Sequence, residues 1–258
     1  TSGSYGPALL EHLAAKTRFY AAKGLKGVYM TTGRPANFPG LWHYVYGNLL
    51  WDPEQDAQKL ARGYIRFHYR PAAGPILRYF ELVHERYHDT LAAAGELKNR
   101  YPVGFYREPF AQEARGCLLE ARRLANAAAR EADVSARERD RRQRLADELT
   151  KEARLFVTDW MLHPEAERLD APAKKTIARQ LEHLLELSGS SEEDRIALAR
   201  AAYRTAVEVD AVLPGARGVV ETWIRDKELP RPQGEKIAGG VRLPAETFMF
   251  AGYGPAKY

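Results

Sequence analysis

Two histidines four residues apart, with a glutamate after the first, form the sharpest chemical pattern in the sequence: His84-Glu85-Arg86-Tyr87-His88. On a helix, side chains four apart share a face, so His84 and His88 can hold one zinc ion while Glu85 activates water, the arrangement of a zinc metallopeptidase. The surrounding residues support a helix, because Ile76, Leu77, Phe80, Val83, Tyr87 and Leu91 recur at helical spacing. A third ligand is needed, and Glu108, Glu113 and Glu120 are the acids the sequence offers. Arg86 sets a cation beside the metal, and the following DTLAAAG lacks the spaced glycine and histidine of metzincins. The plain alternative is the polar face of an amphipathic helix. No cofactor is expected on that reading, with zinc as the alternative.

A second group of residues suits sugar chemistry. Residues 26–31 are the one convincing strand before the tail, and the loop and helix start that follow bring together Tyr29, Thr31, Arg34, Asn37, Trp42 and His43. Loops at the carboxyl ends of parallel strands carry ligand contacts in barrels. An aromatic face covers the C–H side of a sugar ring, while Asn, Arg and His hydrogen-bond hydroxyls. The expected substrate-binding set is therefore Tyr29, Arg34, Asn37, Trp42 and His43, against the alternative of a packed rim. From 25 to 51 there is no Asp or Glu, so this rim cannot supply the two carboxylates of glycoside hydrolysis, and the catalytic residues stay unassigned.

Other patterns carry less chemistry. Cys117 is the only cysteine, so neither an internal disulfide nor a thiolate metal cage can form, and it reads as a packed thiol. The basic run RERDRRQR has its acids at pairing distance, Glu138 with Arg142 and Asp140 with Arg144, and reads as a solvated face. Phe156, Trp160 and Trp223 read as core. The 39 basic residues are nearly matched by 34 acidic ones, so a net charge of +5 does not point to nucleic acid. No apolar run approaches the roughly 20 residues that span a bilayer, and no membrane partner is expected. The compartment stays open; a secreted or periplasmic location would require an export signal upstream.

Around these residues the chain is helical. A first helix runs from Ser4 and Pro7 to a stop at Gly24, and the strand follows. Residues 40–51 carry Leu41, Trp42, Tyr44, Val45, Tyr46, Leu49 and Leu50, too apolar for a one-sided helix, which predicts a connector buried between two layers. Asp52-Pro53 predicts the next helix start, Pro71 another, and Gly95 a stop. The irregular stretch 96–108 precedes helical hairpins with start signals at Ser135 with Glu138, Asp170 with Pro172, and Ser190 with Glu193, and a last helix at 216–228. Residues 236–243 and 247–251 are weak strand candidates. The expected fold class is mainly α: the terminal α/β segment of a (β/α) barrel over 1–52, a helical-bundle domain over 53–229, and a short β-type tail over 230–258. A lone parallel strand needs neighbours, so the chain reads as the later part of a larger protein or a module docked on one.

A helix ending in Tyr20-x-x-x-Gly24, Gly27-Val28-Tyr29 on a strand, the run Leu49-Leu50-Trp51-Asp52-Pro53 with Asp56, and Tyr69-x-Pro71-Ala72-Ala73 with Tyr79 together resemble a glycoside-hydrolase-like family. This is the domain of unknown function 4838 type, related to β-hexosaminidase and α-glucuronidase barrels. Arg70 stands where that family usually has Gly. The resemblance implies that the chain closes a TIM-barrel glycosidase domain and passes into a helical domain, with the catalytic carboxylates on earlier strands outside it. The partners it implies are a carbohydrate or the remainder of a parent chain, with self-association through the helices. A helical scaffold without catalysis is the further alternative.

Overall fold

The computed structural model describes residues 9–25, 27–28, 38–94, 105–131, 134–230, 235–237 and 240–242. The chain is mainly helical and divides into two compact units, Thr1–Glu165 and Ala166–Tyr258. The boundary thus falls inside the stretch 53–229 that the sequence suggests as one helical domain.

In the first unit, α1 (Leu9–Ala22) ends where sequence reasoning places its stop. Gly24 turns left-handed at φ 68, and the Leu25 N–H closes on the Tyr20 carbonyl at 3.1 Å. Gly27 and Val28 lie in no regular element; the rest of the expected strand 26–31, with Tyr29, Arg34 and Asn37, lies outside the described residues. Helix α2 (Pro39–Trp51) follows Phe38, whose φ of 50 and ψ of 53 make it a left-handed entry. α2 buries Leu41, Trp42, Val45, Tyr46 and Leu49. Its other face is open: Leu50 is 43% and Trp51 91% exposed, so among the described residues α2 is covered on one side only, not on two as expected.

Asp52 does not start the next helix. It caps the end of α2, and its carboxylate accepts from the Glu54 N–H at 3.1 Å in a tight turn. Asp56 is the actual N-cap of α3 (Ala57–His68), accepting from the Gln58 and Lys59 N–H groups at 2.8 and 3.0 Å. A 3-10 turn at Arg70–Ala72 leads into α4 (Ala73–Ala94); the expected stop at Gly95 lies outside the described residues.

Helices α5 (Glu108–Ala129) and α6 (Ala136–Leu162) form a hairpin. Small residues at helical spacing, Ala111, Ala114, Ala121, Ala125 and Ala128, let α5 approach closely, and α6 answers with Leu145, Leu149, Phe156 and Trp160. Ser135 caps α6 through the Glu138 N–H at 3.2 Å as the sequence suggests. The Glu138 carboxylate, however, pairs with Arg141 and Arg142, whose hydrogen bonds pull its pKa down to about 2. Both expected ion pairs form, Glu138 with Arg142 at 2.9 Å and Asp140 with Arg144 at 2.8 Å. Arg142 also donates to the Ala128 carbonyl at 2.8 Å, closing the carboxyl end of α5.

The second unit holds α7 (Ala171–Glu186), α8 (Glu192–Asp210) and α9 (Ala216–Asp226). Asp170 caps α7 as expected, accepting from the Ala173 N–H at 2.9 Å. Ser191, one residue beyond the expected Ser190, caps α8 through the Asp194 N–H at 3.1 Å. Glu182 on α7 accepts from Trp223 Nε1 at 2.9 Å and pairs with Lys227, tying α7 to α9. The tail contains an antiparallel hairpin, β1 (Glu235–Ile237) on β2 (Gly240–Arg242), while 247–251 lies outside the described residues.

Candidate functional site

The histidine pair finds its third group on α1. Glu11 reaches across to α4, with its carboxylate 3.7 Å from His84 Nε2 and 3.6 Å from His88 Nε2. One ligand atom from each of the three lies within 4.8 Å of the others. The two imidazoles meet edge to face, their centroids 4.4 Å apart. His84 is half-buried, its Nδ1 is enclosed without a hydrogen-bond partner, and its proton affinity is lowered, first by burial and then by the neighbouring His88. A neutral imidazole offers a lone pair, which is the form a metal takes.

Beside the cluster, α1, α3 and α4 enclose a groove of about 250 Å³ walled by Leu10, Ala61, Ile65, Leu77 and Phe80. Arg62 lies on its rim and turns to Glu81 at 3.8 Å. Glu85, the expected base, is exposed, and its carboxylate lies 4.0 Å from Arg78. The acids suggested as third ligands are engaged elsewhere. Glu113 accepts from Arg78 at 2.9 Å, Glu120 is gripped by Arg123 at 2.6 Å, and Glu108 accepts from Gln112 at 3.3 Å. Glu11 escapes sequence reasoning because nothing local to it signals a ligand; only the packing of α1 near α4 brings it to the histidines.

Of the expected sugar-binding set, two residues fall within the described structure. Trp42 is 7% exposed and turned into the helical layer, so its ring face is not offered to solvent, whereas His43 on the next position of α2 is exposed. Tyr29, Arg34 and Asn37 lie outside the described residues.

Phe38, the first described residue after those three, is firmly packed. Phe38 packs against Phe80, Tyr79 and Tyr69 with ring centroids 5.0, 5.6 and 5.8 Å away. Each such pair contributes on the order of 0.5–1.5 kcal/mol beyond area burial. Below them two acids of α6 stand one turn apart. Glu148 accepts from the Tyr69 hydroxyl at 2.9 Å and lies 3.2 Å from His68 Nε2. These hydrogen bonds outweigh its burial and hold its carboxyl below the usual range. Glu152 is 2% exposed, and burial pushes its pKa up to about 8. Sequence reasoning passed over both, since acids at this spacing on a charged helix look like solvated side chains. Cys117 is half-buried, and burial raises its pKa, consistent with a packed thiol.

No curated protein and no solved structure matches the chain. The family comparison covers α1, α2, α3 and the start of α4, including Glu11, and stops short of His84. Residues 4–81 match the model described as Domain of unknown function (DUF4838), and this amino-terminal stretch is similar to that family.

Proposed function

We propose that this chain closes and buttresses a carbohydrate-active barrel domain of the glycoside-hydrolase type, supplying one wall of a sugar site and none of the catalytic carboxylates. The observation that carries the reading is the open face of α2. That helix begins at Pro39, shortly after the sequence stretch 29–37, and buries one apolar side against α1 and α3. Its other side leaves Leu50 and Trp51 uncovered, at 43% and 91% exposure. A helix that follows a barrel strand packs one face on the sheet; an outward-facing Trp next to Leu is the surface such packing covers. The DUF4838 match over the same stretch supports the assignment, since the run Leu49-Leu50-Trp51-Asp52-Pro53 carries the resemblance to that glycosidase-like family.

His43 and the loop residues Tyr29, Arg34 and Asn37 would face the sugar, His43 from the first turns of α2. Trp42 serves instead as the buried anchor of that helix. The test is binding of the chain to an array of hexosaminide and uronide glycans, beside a His43→Ala variant. Because His43 is exposed, its removal leaves folding intact. Binding that is lost in the variant supports the reading. Absence of binding to every glycan by the parent chain overturns it in favour of a helical interaction module.

A further inference from the structure

We infer that Glu11, His84 and His88 form a binding site for one divalent metal ion of the zinc type, which ties α1 to α4 and keeps a coordination position open. Metal–ligand bonds of about 2.0–2.1 Å place tetrahedral ligand atoms about 3.3–3.4 Å apart. Glu11 Oε1 stands 3.7 Å from His84 Nε2 and Oε2 stands 3.6 Å from His88 Nε2, and with one donor atom taken from each residue all three lie within 4.8 Å of one another, so side-chain rotation draws them in around an ion. The donors match the ion as well as the distances do. Two imidazoles and one carboxylate are a borderline-soft set suited to zinc, whereas calcium and magnesium prefer oxygen ligands. The ligands come from two separate helices, with the histidines one turn apart on a single face, so helix geometry fixes two of the three donors before the ion arrives.

The charge balance agrees. With both imidazoles bound through their lone pairs the donor set brings the ion one negative charge, that of the carboxylate, and the nearest cation on the groove rim, Arg62, is paired to Glu81. The Glu11 oxygens stand 3.7 and 3.6 Å from the two Nε2 atoms, too far for good hydrogen bonds. Side chains of Glu11 and His88 are 57% and 47% exposed, which leaves the remaining coordination position to water or a small ligand. Glu85 is directed toward Arg78, so the site binds metal without the water-activating glutamate of a peptidase.

The test uses tag-free, chelator-treated full chain titrated with Co²⁺ and then Zn²⁺, followed by visible absorption and thermal melting. The expected result is one Co²⁺ per chain with intense tetrahedral d–d bands, displaced by Zn²⁺, and a melting temperature raised by the metal. His88→Ala and Glu11→Gln weaken binding by at least about tenfold, while Asp89→Asn, beside the site, leaves it unchanged. Glu11 is an exposed side chain, so its variant remains folded even should a histidine variant fail to fold. No saturable Co²⁺ binding by the parent chain, or unchanged affinity in Glu11→Gln, overturns the inference.

Discussion

The backbone of Phe38, at the entrance of α2, lies against the buried carboxyl of Glu152 in the middle of α6 and partly offsets the effect of burial on it. Glu152 is 2% exposed, and burial pushes its pKa up from 4.5 to about 8. The folded chain therefore keeps a proton that the unfolded chain releases. That contribution to stability is complete below the unfolded value of 4.5 and is lost as pH rises through 8. The slope between these limits reaches about 1.4 kcal/mol per pH unit. Urea unfolding midpoints should fall steadily from pH 5 to pH 8, and Glu152→Gln, which keeps the shape and cannot ionise, should flatten the profile and be the more stable chain at pH 8. Equal midpoints for the parent chain at pH 5 and pH 8 would contradict the assignment. Glu148, held low by Tyr69 and His68, acts with the opposite sign, losing its contribution only as pH falls below the ordinary carboxylate range.

Arg70 adopts a φ of 24, in the region that favours glycine, at the entry to the 3-10 turn before α4. Glycine, the residue that the family resemblance leads one to expect here, adopts this backbone without a steric penalty. Among the described residues the guanidinium gains a contact with the exposed Phe67 ring, 5.3 Å from its centroid. Relief of strain of the order of 1–3 kcal/mol outweighs that contact and the added freedom of the unfolded chain. Arg70→Gly is therefore expected to raise stability by about 0.5–1 kcal/mol, read as a higher melting temperature; a lower one would mean that the turn tolerates arginine without strain.

These cases show which parts of the molecule the sequence makes legible. Ser135 and Asp170 were readable as caps because a cap is a bond between a side chain and amides two or three residues away. Asp52 and Asp56 both satisfied that local rule, and the proline after Asp52 favoured the wrong one; the chain spends Asp52 on a turn that reverses direction between α2 and α3. His84 and His88 were readable as a pair because helical periodicity relates them. Glu11 and Glu152 were not, because their roles are created by helices from distant sequence meeting in space, and no local pattern encodes such a meeting. The open face of α2 was half legible: its composition announced two apolar sides, and only the packing shows which one is covered.

In the second unit, Trp223 donates its indole N–H to Glu182 at 2.9 Å while Lys227 pairs with the same carboxylate. Trp223 is buried, so removing the donor leaves the ring's packing mostly intact but strips one hydrogen bond from a charged acceptor. Trp223→Phe should cost about 1.5–3 kcal/mol, measured as a lowered urea midpoint. The Lys227–Glu182 pair is half-exposed, so Lys227→Met should cost less than about 1 kcal/mol. The reverse order would place the weight of the α7–α9 junction on the ion pair instead.

The connection between the two units, 163–169, has no helix or strand and carries two glutamates, Glu165 and Glu167, both exposed. Bonds within a helix must unwind before a protease can seat them in extended form, whereas a linker of irregular backbone needs little or no opening. A glutamate-specific endopeptidase under native conditions should therefore cut after Glu165 or Glu167 before it cuts at any glutamate within α6 to α9, despite the larger number of acids in those helices. Mass spectrometry of the early fragments decides the matter. Replacing both residues with glutamine should abolish the first cut between α6 and α7 and leave the slower helical cuts as they were. Early cleavage within α7 or α8 instead would mean that the second unit opens more readily than the chain that joins it to the first, and that the boundary at 165 is not the weakest point of the described backbone in this half of the protein.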